Sequence, residues 1–481
     1  MAPSYARGSI TEPPRATVRF DHRTPRETPM ERRTVVVSAL GTLLALVSYT
    51  APLTTLRAIS ADLGAGPSGQ SWILSSMSLG LTAALLTAGT LADEHGRRRL
   101  FVLGAVVLAV ASAAGAASPG TAVFVLGRVV QGVGAAAMIA CSLALISHAI
   151  PPGPARARAT GMWGAALAAG IAAGPVLSSL IDWRVFYVLI AVAALGVAAA
   201  ARSLLTESTS GEPRPVDLPG MVLLAAALSA LLAGLTEARR LPVGPVPIAL
   251  LVAGALLLAG FVVVQRRSSH PMVALRLFRS PGLVAATTAS LASGLGVIAV
   301  SSFLPVVLQR GQGHGPVFAA LMLLGWSGTS IVTALLTRRI SEQVTGAIRL
   351  GAGLVVVAAG LVPMMWVSPD SSPWLVLTGL VVAGLGTGVV NATLGREAVA
   401  SVPANRAGMG SGINNSSRYL GAAIGVTLVS VLSSPTGAET PETLLAGWDV
   451  AVVVCTVLTV LCAGVVLACT RRAPAGSPVR A

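Results

Sequence analysis

Four short stretches of this chain place charged, amide or helix-shaping residues inside apolar surroundings, where they can act. The first reads Gly89-Thr90-Leu91-Ala92-Asp93-Glu94-His95-Gly96-Arg97-Arg98-Arg99. A helix ends, a tight glycine-containing turn follows, and a cationic cluster starts the next helix. Gly89 lets backbones approach closely. Asp93 can accept hydrogen bonds from a helix N-terminus or pair with an arginine such as Arg97. Such a cluster can latch one conformation and release another. It equally fits an ordinary basic anchor at a membrane surface.

The second stretch is Arg128-Val129-Val130-Gln131-Gly132-Val133-Gly134. An arginine inside an apolar span costs on the order of several kcal/mol unless it has a partner or faces water. Gln131 lies one turn on, on the same face. Arg128 either faces a polar cavity, tuning a proton or substrate site, or snorkels to the interface. The third is Gly170-Ile171-Ala172-Ala173-Gly174-Pro175, preceded by Gly161 and Gly164. Its spacing makes a flat face for close helix contact, and Pro175 removes a backbone donor and bends the helix. Generic small-residue packing gives the same pattern. The fourth runs from Gly408 to Gly421 and carries Asn414, Asn415 and a second in-span arginine, Arg418. These polar groups either face a central cavity or bond between helices.

No catalytic constellation accompanies them. The chain has no HExxH, no Gly-x-Ser-x-Gly and no P-loop, and the last is impossible because it contains no lysine. Cys141, Cys455, Cys462 and Cys469 lie in apolar runs without a CxxC pair, as small packing residues do. Neither an enzyme nor a metal site is expected.

The elements that must position these residues are long and apolar. Of 481 residues, 54% are hydrophobic and 11% charged, against about 25% charged in soluble domains. Runs of the roughly twenty residues needed to cross a bilayer as helix recur at 34–57, 70–92, 100–117, 122–147, 159–181, 184–203, 219–237, 245–265, 282–308, 316–336, 348–367, 374–395, 407–432 and 447–470. This is an all-α integral membrane pattern of about fourteen helices, because a helix satisfies its backbone polar groups within lipid. Residues 1–33, rich in Pro and Arg, read as a disordered cytoplasmic tail, and Met30-Glu31-Arg32-Arg33 has the form of a translation start.

The net charge of +15 comes entirely from arginine. Arginines sit at the ends of apolar runs rather than in an aromatic-flanked patch, so the expected partner is the lipid bilayer and not nucleic acid. With the N-terminus inside, 26 of the 33 arginines fall on the cytoplasmic side, five outside and two within spans. That asymmetry places both termini in the cytoplasm. The arginine-only basic set, with its Ala, Gly and Val richness, fits a high-GC bacterium and its plasma membrane. A faint repeat relates residues 93–100 to 343–350: Gly, Arg and Leu fall in register, with Gln343 where Asp93 stood. Internal repeats of this kind build many transporters, with substrate bound between the halves.

Taken together, the four stretches resemble the major facilitator superfamily, in its fourteen-helix drug:proton antiporter branch. Gly89 to Leu100 resembles the superfamily's signature between helices two and three. Arg128-x-x-Gln131-Gly132-x-Gly134 resembles the helix-four motif linked to proton coupling. Gly170-x-x-x-Gly174-Pro175 resembles the helix-five motif of exporters. Trp183-Arg184-Val185-Phe186, residues 270–279 and residues 407–425 also fit the branch. The resemblance implies a six-helix bundle at 34–203, a linker with two transmembrane helices at 204–281, a second bundle at 282–470, and a cytoplasmic tail at 471–481. It implies secondary active export of small amphipathic drugs, antibiotics or natural products by alternating access. No cofactor is implied, because the energy source is a proton gradient.

On that resemblance, Asp93, Arg97, Arg128, Gln131, Gly132, Gly170, Gly174, Pro175 and Arg418 are the expected coupling and conformational residues. Ser48, Trp72, Gln131, Asn391, Asn414 and Asn415 are the expected cavity residues. The chain departs from the family at Ser48-Tyr49-Thr50, where members usually carry an Asp, and at Ser178-Ser179, where Gly-Gly usually follows. No Asp or Glu lies near the centre of any span, so a neutral, zwitterionic or anionic substrate is expected rather than a dication. A facilitator or importer of the same fold, or a non-transporting membrane sensor, are the rival readings.

Overall fold

The structure, a computed structural model, describes residues 28–209, 217–238, 244–269, 271, 273, 275–340, 343–403, 406–433 and 440–470. Most of the expected N-terminal tail and the C-terminal tail lie outside the described residues, as do Arg214, Arg239, Arg240, His270, Met272 and Ala274. Every regular element among the described residues is helical. Fourteen helices are long and apolar enough to cross a bilayer: Pro29–Thr50, Gly69–His95, Arg97–Ala116, Thr121–Ala149, Pro154–Ser179, Trp183–Leu204, Leu218–Ala238, Pro245–Arg267, Pro281–Gly311, Val317–Leu336, Gly346–Met365, Pro373–Ala400, Ala407–Ser433 and Pro441–Cys469. They are the first to fourteenth spans below.

Local sequence sets their ends. Pro29, Pro154, Pro245, Pro281 and Pro373 occupy first turns, where a missing N–H costs little because first-turn amides have no intrahelical acceptor. Thr28, Asp182, Thr345 and Ser372 cap helices through their side chains. Asp182, for example, accepts the amides of Arg184 at 2.8 Å and Val185 at 3.2 Å.

Three spans differ from the expected runs. The first is two helices, Pro29–Thr50 and Pro52–Leu63. Pro52 has no N–H to offer Ser48, so the hydrogen-bond ladder breaks although Ala51 keeps helical dihedrals. The second span continues to His95, and the turn falls on Gly96 at φ 116°, a region closed to most side chains. The ninth runs to Gly311 and holds two π-helical turns, Gly294–Ile298 and Val307–Gly311, on either side of Pro305. Such bulges cluster at functional sites.

Spans one to six share an apolar core that includes Leu46, Met77, Phe101, Met138, Trp163 and Tyr187. Spans nine to fourteen pack around Leu304, Trp326, Leu361, Leu380, Val429 and Trp448. Span seven lies against spans two and thirteen, one from each group, and pairs with span eight. It therefore stands at the seam between the groups. The most apolar window of span eight is only 17% buried in the protein, so its surface is left to lipid.

Candidate functional site

At one end a backbone contact closes part of the seam, beside a hollow of about 410 Å³ between span five and spans ten to twelve that Arg158, Arg339, Arg349 and Arg396 line, and towards the other end lies a second hollow. At the closed end, Asp93 is 3% exposed. Its carboxylate accepts Arg97 Nε at 3.0 Å and Nη2 at 2.8 Å. Across the seam it also accepts the amides of Gly408 at 3.1 Å and Met409 at 3.0 Å. Those amides belong to the first turn of span thirteen, where N–H groups lack intrahelical partners and favour an anion. The sequence fits this contact, because a Cβ on Gly89 would come within 2.2 Å of the Gly408 carbonyl oxygen. Only glycine lets the two backbones meet.

Small residues extend the seal. Ala165 of span five packs against Ala334 and Ala392 of spans ten and twelve. Behind Asp93, Glu207 accepts the amides of Arg98 at 3.0 Å and Arg99 at 3.2 Å, capping the third span. Sequence reasoning missed Glu207, because it lies just past a span end and more than a hundred residues from its partners. A methyl group at position 408 is expected to prop this end open. Gly408→Ala should lower transport about tenfold with folded protein unchanged, and transport above half of wild type would show that the helices close without this contact.

Arg128 takes a role that neither expectation covered. It is 1% exposed, so it does not snorkel, and it does not line the cavity described below. Its Nη1 donates to the Ser48 carbonyl at 2.7 Å and to Gln131 Oε1 at 3.0 Å, and Nη2 donates to the Tyr49 carbonyl at 3.0 Å. The Ser48 carbonyl is the acceptor that Pro52 leaves over. Gln131 in turn donates to Ser112 Oγ at 3.0 Å. Arg128 thus splints the break in the first span. Gly132 lets span four meet span two, since a Cβ there would fall 2.3 Å from the Met77 carbonyl oxygen. Gly170 and Gly174 do the same for spans five and one, against Leu43 and Thr50. The Pro175 carbonyl accepts Thr54 Oγ1 at 2.9 Å.

Towards the other end lies a cavity of about 270 Å³. Tyr49, Thr50 and Leu53 at the first-span break form one wall, and Ser71, Ser75 and Ser78 a second. Phe303, Val306 and Arg310 beside the π turns, Ala422 and Val426 of span thirteen, and Leu232 and Thr236 of span seven complete it. Among the described residues, Arg310 is its one charged lining residue, and no carboxylate lines it. Ser78 Oγ donates to Tyr49 Oη at 3.0 Å, and the Tyr49 ring meets that of Tyr419 edge-on at 5.7 Å across the seam.

None of the six expected cavity residues lines this cavity. Ser48 and Gln131 belong to the splint. Trp72 Nε1 donates to Glu237 of span seven at 2.7 Å. Asn391, Asn414 and Asn415 are 3%, 2% and 0% exposed, sealed below the cavity. The residues found instead carry a weak cue: serines at 71, 75 and 78 recur on one helix face near the start of span two.

The family model of the Major Facilitator Superfamily matches residues 38–426. The multidrug resistance protein Stp of Mycobacterium tuberculosis (strain CDC 1551 / Oshkosh) is 32% identical over 408 residues, covering 83% of this chain and 76% of that protein. The tetracenomycin C resistance and export protein of Streptomyces glaucescens is 30% identical over 410 residues, covering 83% and 75%. The crystal structure of the human organic anion transporter MFSD10 (TETRAN) aligns with a TM-score of 0.63 over 90% of this chain and 100% of that one, at 18% identity, a likeness of fold alone. Fourteen apolar helices among the described residues, two groups of helices that meet across a seam with a cavity, and these matches agree: the chain is a multi-pass membrane transporter and belongs to the Major Facilitator Superfamily.

Proposed function

We propose that the protein exports small amphipathic molecules, drugs or natural products, by alternating access in exchange for protons, with the Asp93 end in the cytoplasm of a bacterial cell. The observation that carries this reading is the pairing of a carboxylate latch across the seam at one end with a cavity on the other side. In this arrangement the two groups are held together at Asp93 on the inward side, beside the hollow that Arg339 and Arg349 line. Residues 34–203 and 282–470 would rock about the cavity, with the two linking helices beside them, and both termini would stay inside. The arginine asymmetry supports that orientation, and the relatives named for resistance and export support the direction.

The lining also bears on the substrate. Tyr49, Phe303, Leu53 and Val426 offer apolar contact, and Ser71, Ser75, Ser78 and Thr236 offer hydroxyls. With Arg310 as the only charge among the described lining residues, a neutral or acidic amphipath fits better than a cation. Quaternary ammonium dyes are therefore expected to be transported at least about tenfold less well than neutral compounds of similar size, measured as efflux from cells expressing the protein. Equal efflux would contradict this lining as the substrate site.

Uptake into inverted vesicles, energised by a proton gradient with and without an uncoupler, tests coupling and direction together. Accumulation abolished by the uncoupler supports proton-driven export. One observation favours a second reading, facilitated passage without coupling: no carboxylate among the described residues lines the cavity. Equilibration without accumulation, indifferent to the uncoupler, is the result that reading requires.

A further inference from the structure

Arg418 is 1% exposed, and none of its three guanidinium nitrogens has a hydrogen-bond partner among the described residues. Arg128, equally buried, is held by the oxygens of Ser48, Tyr49 and Gln131. Two neighbours share the condition of Arg418. Ser411 Oγ and both polar atoms of the Asn414 side chain are buried and without partners. Positions 411, 414 and 418 are spaced i, i+3, i+7, so they stack along one face of span thirteen. Buried polar groups are nearly always hydrogen-bonded, and a buried cation is the most costly to leave alone. Three donors left over in a row point to a ligand that the chain itself does not supply.

The location says when that ligand binds. Arg418 lies one helical turn from Ala422, which lines the cavity. Ser411 lies two residues from Met409, whose amide Asp93 holds at the closed end. The row therefore runs from the latch to the cavity floor, on the helix that crosses the seam to meet spans two and four. Closure at Asp93 seals it, and parting the groups there uncovers it. A guanidinium offers a planar fork of donors that matches a carboxylate or similar oxyanion, and Asn414 and Ser411 add an amide N–H and a hydroxyl.

We propose that Arg418, with Asn414 and Ser411, is an anion-binding site that takes the acidic group of an amphipathic substrate while the Asp93 end is open. The site rests on the export reading and narrows its substrate class to organic acids. Re-closure removes the space for the acid beside Arg418 and passes the molecule on to the cavity. The Arg310 guanidinium in that cavity meets the same acidic group next.

Equilibrium binding of radiolabelled 1-naphthaleneacetate and of its uncharged methyl ester to the purified full-length protein tests this. Wild type is expected to bind the acid about tenfold or more tightly than the ester, the scale of a charge-assisted hydrogen bond. Arg418→Gln should reduce the acid to the level of the ester while leaving the ester's affinity unchanged, which also shows that the variant folds. Arg418→Lys, with the charge but not the fork, should keep part of the preference, and it decides the matter if Arg418→Gln does not fold. No preference in wild type, no binding of the acid, or an undiminished preference in the variants would overturn the proposal. The measurement uses no gradient. Acid preference lost in Arg418→Gln, with no accumulation of either probe in energised vesicles, would keep the anion site and remove the export reading. Ester accumulation without acid preference would do the reverse.

Discussion

Arg128→Ala is expected to abolish transport and to leave little folded protein in the membrane. The substitution strips hydrogen bonds from the carbonyls of Ser48 and Tyr49 and from Gln131 Oε1; Ser48 and Gln131 are buried, and Tyr49 is half-buried at the cavity wall. Each buried acceptor left unsatisfied costs about 1–3 kcal/mol, so the three together cost on the order of 3–9 kcal/mol, with half-buried Tyr49 at the low end. The splint account also makes a sharper claim. Ser48 needs Arg128 because Pro52 lacks an N–H. Pro52→Ala restores the helical donor to the Ser48 carbonyl, so Pro52→Ala with Arg128→Ala should recover a substantial part of the folded protein lost in Arg128→Ala alone. Folded yield by size-exclusion chromatography across the four members of this double-mutant cycle reads the coupling. Purely additive losses would show that Arg128 acts elsewhere, as a proton-coupling role would require.

Asp93→Asn is expected to open the closed end. Asparagine keeps an acceptor for one amide but loses the charge that answers Arg97 and the N-terminus of span thirteen. Charge-assisted bonds of this kind are worth about 1.5–3 kcal/mol each. A net loss of about 2–3 kcal/mol shifts the balance between the two conformations by about 30- to 150-fold. Transport should fall by at least about tenfold, because a transporter that seldom closes at this end seldom completes a cycle. The amount of folded protein should be near wild type, because on this account Asp93 selects a state rather than holding the fold. Loss of folded protein in proportion to loss of transport would mean that Asp93 holds the fold rather than a state.

The fourteen spans, and the capacity of Asp93 to bond an arginine and a helix N-terminus, were legible in the sequence for physical reasons. A bilayer crossing needs about twenty apolar residues in one run, and such runs stand out. Asp93 stood out because a carboxylate beside three arginines at a span end can answer a helix N-terminus, and Gly89 announced a close backbone approach, though not that Gly408 would be its partner. The cavity was not legible. The amides Asn391, Asn414 and Asn415 drew attention as polar residues in apolar runs, yet they lie sealed beneath it. Its wall is made by Tyr49, Ser71, Ser78 and Phe303, residue types that also fill ordinary apolar helices. The break at Pro52 passed unseen because the run stays apolar across it, and only the fold brings Arg128 to the vacant carbonyl. Contacts such as Trp72 with Glu237, 165 residues apart, depend on where span seven docks, which no local pattern encodes.

Distances between spin labels on opposite sides of the seam test the alternating-access claim most directly. With Cys141, Cys455, Cys462 and Cys469 replaced by serine, one pair of labels would sit at the exposed positions Pro154 and Arg339 at the Asp93 end. A second pair would sit at the exposed Ala61 and Asp370 at the other end. In wild type, the Pro154–Arg339 distance should be short and narrowly distributed. Asp93→Asn should lengthen it and shorten the Ala61–Asp370 distance at the same time. If the Pro154–Arg339 distance stays unchanged in Asp93→Asn, or both distances move in the same direction, the carboxylate does not govern which side of the seam is open and the account fails.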